Sequence, residues 1–191
     1  MALKEFLPKI PETLKALEIG TGTGRFALPL AIRFGLEPSR PMAKIAKMRG
    51  IETILGVAEF LPFKIHKFDL LLVVTAFSFF QHPVQALGEM FRVLKPGGQL
   101  VMGILDRDSP IGHRIELERK SSKFSSKAHF FSATEVLTFL TEIGFEKLEV
   151  CQTLFKQPEE IESIELPEKG HGKGGLAVIS ARKPFQEMEN K

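Results

Sequence analysis

The sequence predicts an α/β fold in which helices cover both faces of a mostly parallel sheet. Short apolar runs alternate along the chain with segments whose apolar residues follow helical spacing. Residues 68–75 are apolar at almost every position, which is typical of a strand in a parallel sheet that is covered on both faces. Residues 14–25 pass from a short apolar run into alternating glycines, the pattern of a strand that ends in a tight turn. We therefore expect a doubly wound, seven-stranded sheet with right-handed crossovers.

The individual elements follow from the same patterns. Strands are expected at residues 14–19, 31–37, 51–56, 68–75, 99–105, 145–155 and 175–182. Helices are expected at residues 25–30, 41–49, 84–94 and 133–143. Ser132 and Glu135 have the spacing of a capping box, in which each side chain bonds the backbone N–H of the other residue. The last two strands have no helix between them, which predicts an antiparallel terminal hairpin with a flexible glycine-rich connection at residues 170–175.

The length and composition fit one globular domain. The chain has 191 residues, of which 43% are hydrophobic and 26% are charged. We expect a short lead-in at residues 1–13, a single domain at residues 14–185 and a tail at residues 186–191. The formal net charge of +3 is spread along the chain and does not favour nucleic acid as a partner. Residues 106–129 are polar and serine-rich and are expected to form a variable loop or helix.

The sequence favours a cytoplasmic protein. Its first residues lack the apolar core of a signal peptide, and the longest apolar run, residues 70–80, is too short to span a bilayer. Cys151 is the only cysteine, so no intrachain disulfide can form, and we expect it in the core. The chain has 17 Phe but no Tyr and no Trp, so no tyrosine can act as an acid, base or donor. No metal site is predicted.

The glycine turn is the first candidate binding element. Gly20, Gly22 and Gly24 follow the first predicted strand, and Glu18 stands two residues before them. Glycines allow positive φ and let a ligand approach the backbone without meeting a Cβ atom. A dinucleotide fingerprint, G-x-G-x-x-G, would need a glycine at the position of Arg25. The alternative is a turn that only lets a helix pack against a strand.

Glu37 is the second candidate, because it ends the second predicted strand. A carboxylate at this place can accept hydrogen bonds from both ribose hydroxyls of an adenosine. It would also repel a 2′-phosphate, which disfavours NADP. The alternative is a surface acid that precedes a turn.

With these residues the chain resembles the class I S-adenosylmethionine-dependent methyltransferases, in particular the type 11 group. Residues 18–24 resemble the family's first motif, and residues 37–42 resemble the second. Residues 56–63 (Gly-Val-Ala-Glu-Phe-Leu-Pro-Phe), 68–69 and 91–98 resemble later motifs in the same order. The resemblance covers about residues 14–182 and implies a Rossmann-like fold with S-adenosylmethionine as cofactor and S-adenosylhomocysteine as product.

The resemblance also implies roles for particular residues. Backbone carbonyls near Gly20 and Thr75 would meet the methionine amino group, with Glu18 acting nearby. The Ala58 N–H would meet the adenine edge, and Glu59 or a neighbour would face its exocyclic amine, although Val57 replaces the aspartate found in many members. The implied cofactor-binding residues are Glu18, Gly20, Thr21, Gly22, Gly24, Glu37, Pro38, Met42, Ala58, Glu59 and Thr75.

Met42 has two interpretations. It could pack on one face of the adenine, as the resemblance implies. It also belongs to the apolar stripe expected for helix 41–49, with Ile45, Ala46 and Met48, and could be a core residue.

The catalytic residues are not determined by the sequence, because in-line methyl transfer depends mainly on positioning the donor and the acceptor. A base is needed only if the acceptor loses a proton. His82 is the best-placed candidate, but it precedes a proline at a helix start and could serve only the backbone there. His113 and His129 are weaker candidates.

We therefore predict methyl transfer from S-adenosylmethionine to a small-molecule acceptor. The acceptor itself depends on residues 106–131, where the sequence is least regular. Few residues precede the first strand, so the pocket could be open or could need a partner chain as a lid, and an oligomer is possible. The alternatives are an NAD-dependent oxidoreductase and a non-catalytic binding protein with the same fold.

Overall fold

The computed structural model describes residues 2–7, 10–11, 13–118 and 125–185. The strands are β1 (Ala16–Ile19), β2 (Phe34–Glu37), β3 (Glu52–Leu55), β4 (Phe68–Val74), β5 (Leu94–Leu105), β6 (Glu146–Thr153), β7 (Glu168–Lys169) and β8 (Leu176–Arg182). The α-helices are α1 (Ala2–Phe6), α2 (Arg40–Met48), α3 (Pro83–Val93), α4 (Pro110–Glu118) and α5 (Ala133–Ile143). The predicted tail, part of the lead-in and residues 119–124 lie outside the described residues.

All the strands form one sheet in the order β3-β2-β1-β4-β5-β8-β6-β7. The first five strands pair in parallel. Strand β8 lies antiparallel between β5 and β6, which confirms the predicted fold class and its antiparallel ending. The two-residue strand β7 pairs with β6 and adds an eighth strand to the seven expected.

Strand β4 connects the two cores of the domain. Because side chains alternate across a strand, Leu71 and Val73 join the core under α3 and α5. Leu70, Leu72 and Val74 join the core on the opposite face, which α1 and α2 cover. This burial on both faces explains why the strand is apolar at almost every position. No helix in the described part of the chain is long and apolar enough to cross a bilayer.

The helix predicted at residues 25–30 is wrong. The segment forms turns and a single 3-10 turn at Leu28–Leu30. Pro29 has no N–H to donate to the Arg25 carbonyl, and the Ile32 N–H donates to the Ala27 carbonyl five positions earlier, so the regular helical hydrogen-bond pattern is interrupted. The chain then turns through Ala31 at φ 56° and enters β2.

The apolar stripe predicted for α2 is confirmed at Ala46 but is wrong at Met42, Ile45 and Met48. Ala43 and Ala46 are its buried residues. Met42, Ile45 and Met48 are 42%, 41% and 79% exposed. The helix lies so close to the glycine turn that a Cβ on Gly24 would be 3.6 Å from Ala46 Cβ, a distance that suits small side chains.

The capping box predicted at the start of α5 is confirmed. The Glu135 N–H donates to Ser132 Oγ at 3.2 Å, and the Ser132 N–H donates to Glu135 Oε2 at 2.7 Å. Gly144 ends the helix at φ 103°, a conformation that glycine adopts without strain.

Asp106 anchors the loops that follow β5. Its carboxylate is fully buried, and Oδ1 accepts from the N–H groups of Ala133 (3.0 Å) and Asp108 (3.3 Å). Oδ2 accepts from the Gly172 N–H at 2.9 Å. The Lys173 N–H also donates to the side chain of Gln152. The connection at residues 170–175, expected to be flexible, is therefore held to the sheet by hydrogen bonds.

Candidate functional site

The carboxyl ends of β1, β2 and β4 meet at one edge of the sheet. Glu18 of β1 lies opposite Gly35 of β2 on one side and Leu72 of β4 on the other. The glycine turn, Glu37 and Thr75 lie at the ends of these strands and are therefore close together at this edge, which we call the crevice. Ligands of open α/β sheets bind in this position.

The three glycines of the turn all have positive φ, but their surroundings differ. Gly20 packs so closely on the residues after β4 that an added Cβ would overlap the Cβ of Ala76. A Cβ on Gly24 would be 3.1 Å from Ile51 Cγ1. Gly22 faces open space, with no atom within 4 Å of an added Cβ. The turn is therefore packed into the protein at both ends, and its middle is open to a ligand.

Glu18 joins the two ends of the glycine turn. Its Oε2 atom accepts from Thr21 Oγ1 at 2.5 Å and from the Ala27 N–H at 3.1 Å. Burial raises the pKa of its carboxyl to about 7, against the lowering effect of these hydrogen bonds, and the nearby charge of Glu37 adds to the rise. Its predicted action near the methionine amino group stays a prediction.

We expect the stability of the protein to depend on pH through Glu18. The folded pKa of about 7 exceeds the ordinary value of 4.5, so the folded state holds this proton more tightly than the unfolded state. Its contribution to stability is full below pH 4.5 and is lost as the pH rises to about 7. The loss is at most about 3 kcal/mol.

The variant Glu18→Gln isolates this effect, because it keeps an oxygen acceptor for Thr21 and Ala27 but does not ionise. Urea unfolding should show that the variant gains about 2 kcal/mol relative to the wild type between about pH 5 and pH 8. A stability difference that does not change with pH contradicts this expectation.

The Glu37 carboxylate lies beside the open part of the glycine turn. Its Oε2 atom accepts from the Gly22 N–H at 2.8 Å, and Oε1 accepts from the Ser39 N–H at 2.9 Å. The carboxylate is thus fixed by backbone donors from two segments. Each oxygen keeps a further lone pair that could accept a ribose hydroxyl. Pro38 is exposed next to it.

Thr75 has an uncommon backbone conformation, with φ 56° in a β-branched residue. Its N–H donates to the Gly103 carbonyl at 2.8 Å, and its Oγ1 donates to the Val74 carbonyl at 2.8 Å. The residue is exposed at the crevice. Conformations of this kind concentrate at binding sites, where the surrounding structure holds them in place.

The residues predicted to meet the adenine lie at the same edge of the sheet. Met42 is 42% exposed, so the structure places it outside the core and leaves its apolar side chain available. Val57 is 44% exposed. Ala58 is buried, and its N–H has no acceptor among the described residues. The adenine contacts of Met42 and Ala58 stay predictions.

Glu59 has partners within the protein. Its Oε1 atom accepts from the N–H groups of Gln81 (2.7 Å) and His82 (3.2 Å), directly before α3. The carboxylate thereby connects the loop after β3 to the start of that helix. Its predicted contact with the adenine amine is a separate role that stays a prediction.

A charged pair on α3 holds the loop at residues 57–63. Arg92 binds both carboxylate oxygens of Glu89, through Nε at 2.6 Å and Nη2 at 2.8 Å. The guanidinium also donates to the carbonyls of Leu61 and Phe63, and Glu89 Oε2 accepts from the Leu61 N–H. The hydrogen bond from Arg92 is the main reason why the pKa of the Glu89 carboxyl is lowered. Sequence patterns did not identify this pair, although Arg92 lies in the motif at residues 91–98.

We expect Arg92→Met to loosen this loop and lower the unfolding free energy by about 1–2 kcal/mol. The partly buried Arg114 supplies a control of similar exposure, since its Nε lies 4.0 Å from Glu118 Oε1, beyond hydrogen-bond distance. Arg114→Met should cost less than about 0.5 kcal/mol in the same urea experiment. Equal losses in the two variants would contradict the role given to Arg92.

The histidine candidates receive little support as bases. His82 is exposed and lies at the N-cap position of α3, where its side chain makes no capping hydrogen bond. The His129 N–H donates to the Ser78 carbonyl, and its ring packs on Phe131 at 4.5 Å between centroids. His113 is exposed on α4. The catalytic assignment of His82 stays a prediction.

The residues at this edge fit an adenosyl cofactor. The open space at Gly22, the fixed carboxylate of Glu37 and the exposed side chain of Met42 suit a backbone approach, a ribose and a flat base. Among the described residues, no group of three or more His, Cys, Asp and Glu side chains could hold a metal ion.

Comparisons with known proteins agree with this geometry. A family model described as a methyltransferase domain matches residues 17–102. An uncharacterized protein of Methanocaldococcus jannaschii is 44% identical over 182 residues, which cover 95% of this chain and 86% of the relative. An uncharacterized Mycobacterium tuberculosis protein is 36% identical over 74% of this chain, and the match spans 50% of its own length.

A crystal structure from Thermotoga maritima has the same fold over almost the whole chain. That protein is named as an S-adenosylmethionine-dependent methyltransferase and a possible histamine N-methyltransferase. The two chains are 44% identical and superpose with a TM-score of 0.90, covering 95% of this chain and 86% of the other. The chain therefore belongs to the class I S-adenosylmethionine-dependent methyltransferase family.

Proposed function

We propose that the protein binds S-adenosylmethionine at the carboxyl ends of β1, β2 and β4 and methylates a small-molecule acceptor. The observation that carries the proposal is the position of the Glu37 carboxylate, fixed beside the open glycine turn by the N–H groups of Gly22 and Ser39. The relatives support the same reaction class. An NAD-dependent oxidoreductase is not favoured, since the family is that of methyltransferases.

Each part of the crevice would have one task in this function. Glu37 would bind the ribose, Met42 and Ala58 would bind the adenine, and the carbonyls near Gly20 and Thr75 would bind the amino acid end. When bound, the cofactor supplies a methyl group on a sulfonium sulfur, which becomes a neutral thioether as the methyl leaves. The protein therefore has mainly to bind and align the two reactants, which can supply much of the rate enhancement.

Calorimetry with S-adenosylhomocysteine tests cofactor binding directly. We expect one site per chain with a dissociation constant below about 100 μM, and no binding of NADH at the same concentration. Absence of S-adenosylhomocysteine binding would contradict the proposal. Transfer of radioactive methyl from S-adenosylmethionine to a low-molecular-weight fraction would then support a small-molecule acceptor.

A further inference from the structure

A cavity of about 520 Å³ lies at the edge of the sheet where β6 ends and β8 begins. Its walls come from five parts of the chain, one of which is the end of β6 with Thr153 and Leu154. Helix α1 contributes Leu3, and the turn after the glycines contributes Phe26. Strand β8 contributes Leu176, and residues 161–165 cover one side. This volume suits a small organic molecule.

The cavity adjoins the segments predicted to bind the methionine end of the cofactor. A Cβ on Gly103 would be 3.6 Å from Leu3 Cδ2 and 3.8 Å from Leu176 Cδ1, so both lining side chains pack over this glycine. The carbonyl of Gly103 is the acceptor that holds the Thr75 N–H. On the other wall, Phe26 follows Gly24 by two residues. The cavity thus lies next to Gly103, which holds Thr75, and next to the turn that follows Gly24, although none of the predicted cofactor-binding residues lines it.

The lining combines apolar surface with negative charge. Its charged residues are Glu162 and Glu165, and no lysine, arginine or histidine is among the residues that line it. Glu165 is held in place, because its carboxylate accepts from the N–H groups of Phe155 (2.8 Å) and Lys156 (3.1 Å). Glu162 is exposed and has no hydrogen-bond or ion-pair partner among the described residues. A molecule with an apolar body and a positive head complements this surface, whereas a carboxylate is repelled.

The geometry points to this cavity as the acceptor site, and we propose that the acceptor is a small amine with an apolar body. The inference rests on the proposed methyltransferase function. The apolar body lies against Leu3, Phe26 and Leu176, and the amine is attracted by Glu162. Before the reaction the bound ammonium releases one proton to solvent at the open mouth of the cavity. The electron pair of the resulting neutral amine forms the nitrogen–carbon bond, and the pair of the broken sulfur–carbon bond stays on sulfur. The product is an N-methylated ammonium with the same charge as the bound acceptor.

Calorimetry on the full chain saturated with S-adenosylhomocysteine tests the site without measuring activity. The probes are phenethylamine and n-hexylamine, compared with 3-phenylpropionate, which has an apolar body like that of phenethylamine but the opposite charge. We expect at least one amine to bind at concentrations up to about 5 mM, and 3-phenylpropionate to bind at least about tenfold more weakly.

A pair of surface variants locates the binding site. Ile164 lines the cavity and is 75% exposed, so Ile164→Arg adds a cation at the cavity without disturbing the core. Ile65 is 61% exposed and lies outside the cavity, so Ile65→Arg is the matched control. We expect Ile164→Arg to weaken amine binding by about tenfold and Ile65→Arg to leave it unchanged. Both variants should bind S-adenosylhomocysteine like the wild type.

The outcomes separate the two proposals. If the chain binds S-adenosylhomocysteine but neither amine, the acceptor site is wrong and the proposed function stands. The site is also wrong if amines bind equally well to Ile164→Arg, or if 3-phenylpropionate binds as well as phenethylamine. If S-adenosylhomocysteine itself does not bind, both proposals fail.

Discussion

Replacing Gly20 with alanine is expected to lower the unfolding free energy by about 3–4 kcal/mol, whereas the same change at Gly22 should cost only about 1 kcal/mol. Both positions have positive φ, so both variants carry the conformational penalty of a non-glycine residue. Only at Gly20 would the new methyl group also overlap another atom, the Cβ of Ala76. Urea unfolding of the two variants measures the difference.

Gly22→Ala should remain folded and yet lose cofactor binding. The space beside Gly22 is open in the protein, so the added methyl group would occupy the path by which a ligand approaches the backbone. We expect its affinity for S-adenosylhomocysteine to fall by more than about tenfold in calorimetry. If Gly22→Ala bound the ligand normally, or were as unstable as Gly20→Ala, the roles given to these glycines would be wrong.

Replacing Glu37 with glutamine should weaken S-adenosylhomocysteine binding by about 100-fold. The variant loses or weakens two hydrogen bonds from ribose hydroxyls to a carboxylate. A 100-fold weaker affinity corresponds to about 2.7 kcal/mol of binding free energy, a moderate value for two such hydrogen bonds. The amide oxygen can still accept from one of the two N–H groups that hold Glu37, so the protein should stay folded.

The control for this variant is Glu52→Gln, which removes an exposed carboxylate from the neighbouring strand β3. Calorimetry should show unchanged binding for the control, and urea unfolding should show folded protein for both variants. An affinity of Glu37→Gln within about threefold of the wild type would contradict the ribose contact.

The sheet and the crevice were largely predictable from the sequence, because their signals are local. The glycine turn after β1, the continuous apolar run of β4 and the capping box at Ser132 each depend on residues close together in the chain. The parallel order of the strands then follows from general rules of α/β folds, and it places Glu37 beside Gly22.

Two helical predictions failed because neighbouring segments overrode the local pattern. At residues 25–30, Glu18 of β1 fixes the segment through the Ala27 N–H, and the chain turns at Ala31 with φ 56° to enter β2. In α2, apolar periodicity placed Met42, Ile45 and Met48 in one stripe with Ala46, but the close approach of the glycine turn leaves only small residues such as Ala46 on the buried face. Neither contact can be read from one segment alone.

The loop-holding roles of Asp106 and Arg92 were not predicted from the sequence, for a related reason. Asp106 bonds backbone N–H groups of Ala133 and Gly172, and Arg92 bonds carbonyls of Leu61 and Phe63. Almost every residue type has the same backbone N–H and C=O groups. The sequence therefore does not indicate which of these groups a side chain will bond.

A crystal structure of the protein soaked with S-adenosylhomocysteine tests the central claim most directly. The account predicts the ligand across the ends of β1 and β2, with both ribose hydroxyls within about 3 Å of the Glu37 carboxylate and its backbone contacts passing Gly22. A ligand bound elsewhere, or a ribose held by residues other than Glu37, would contradict it.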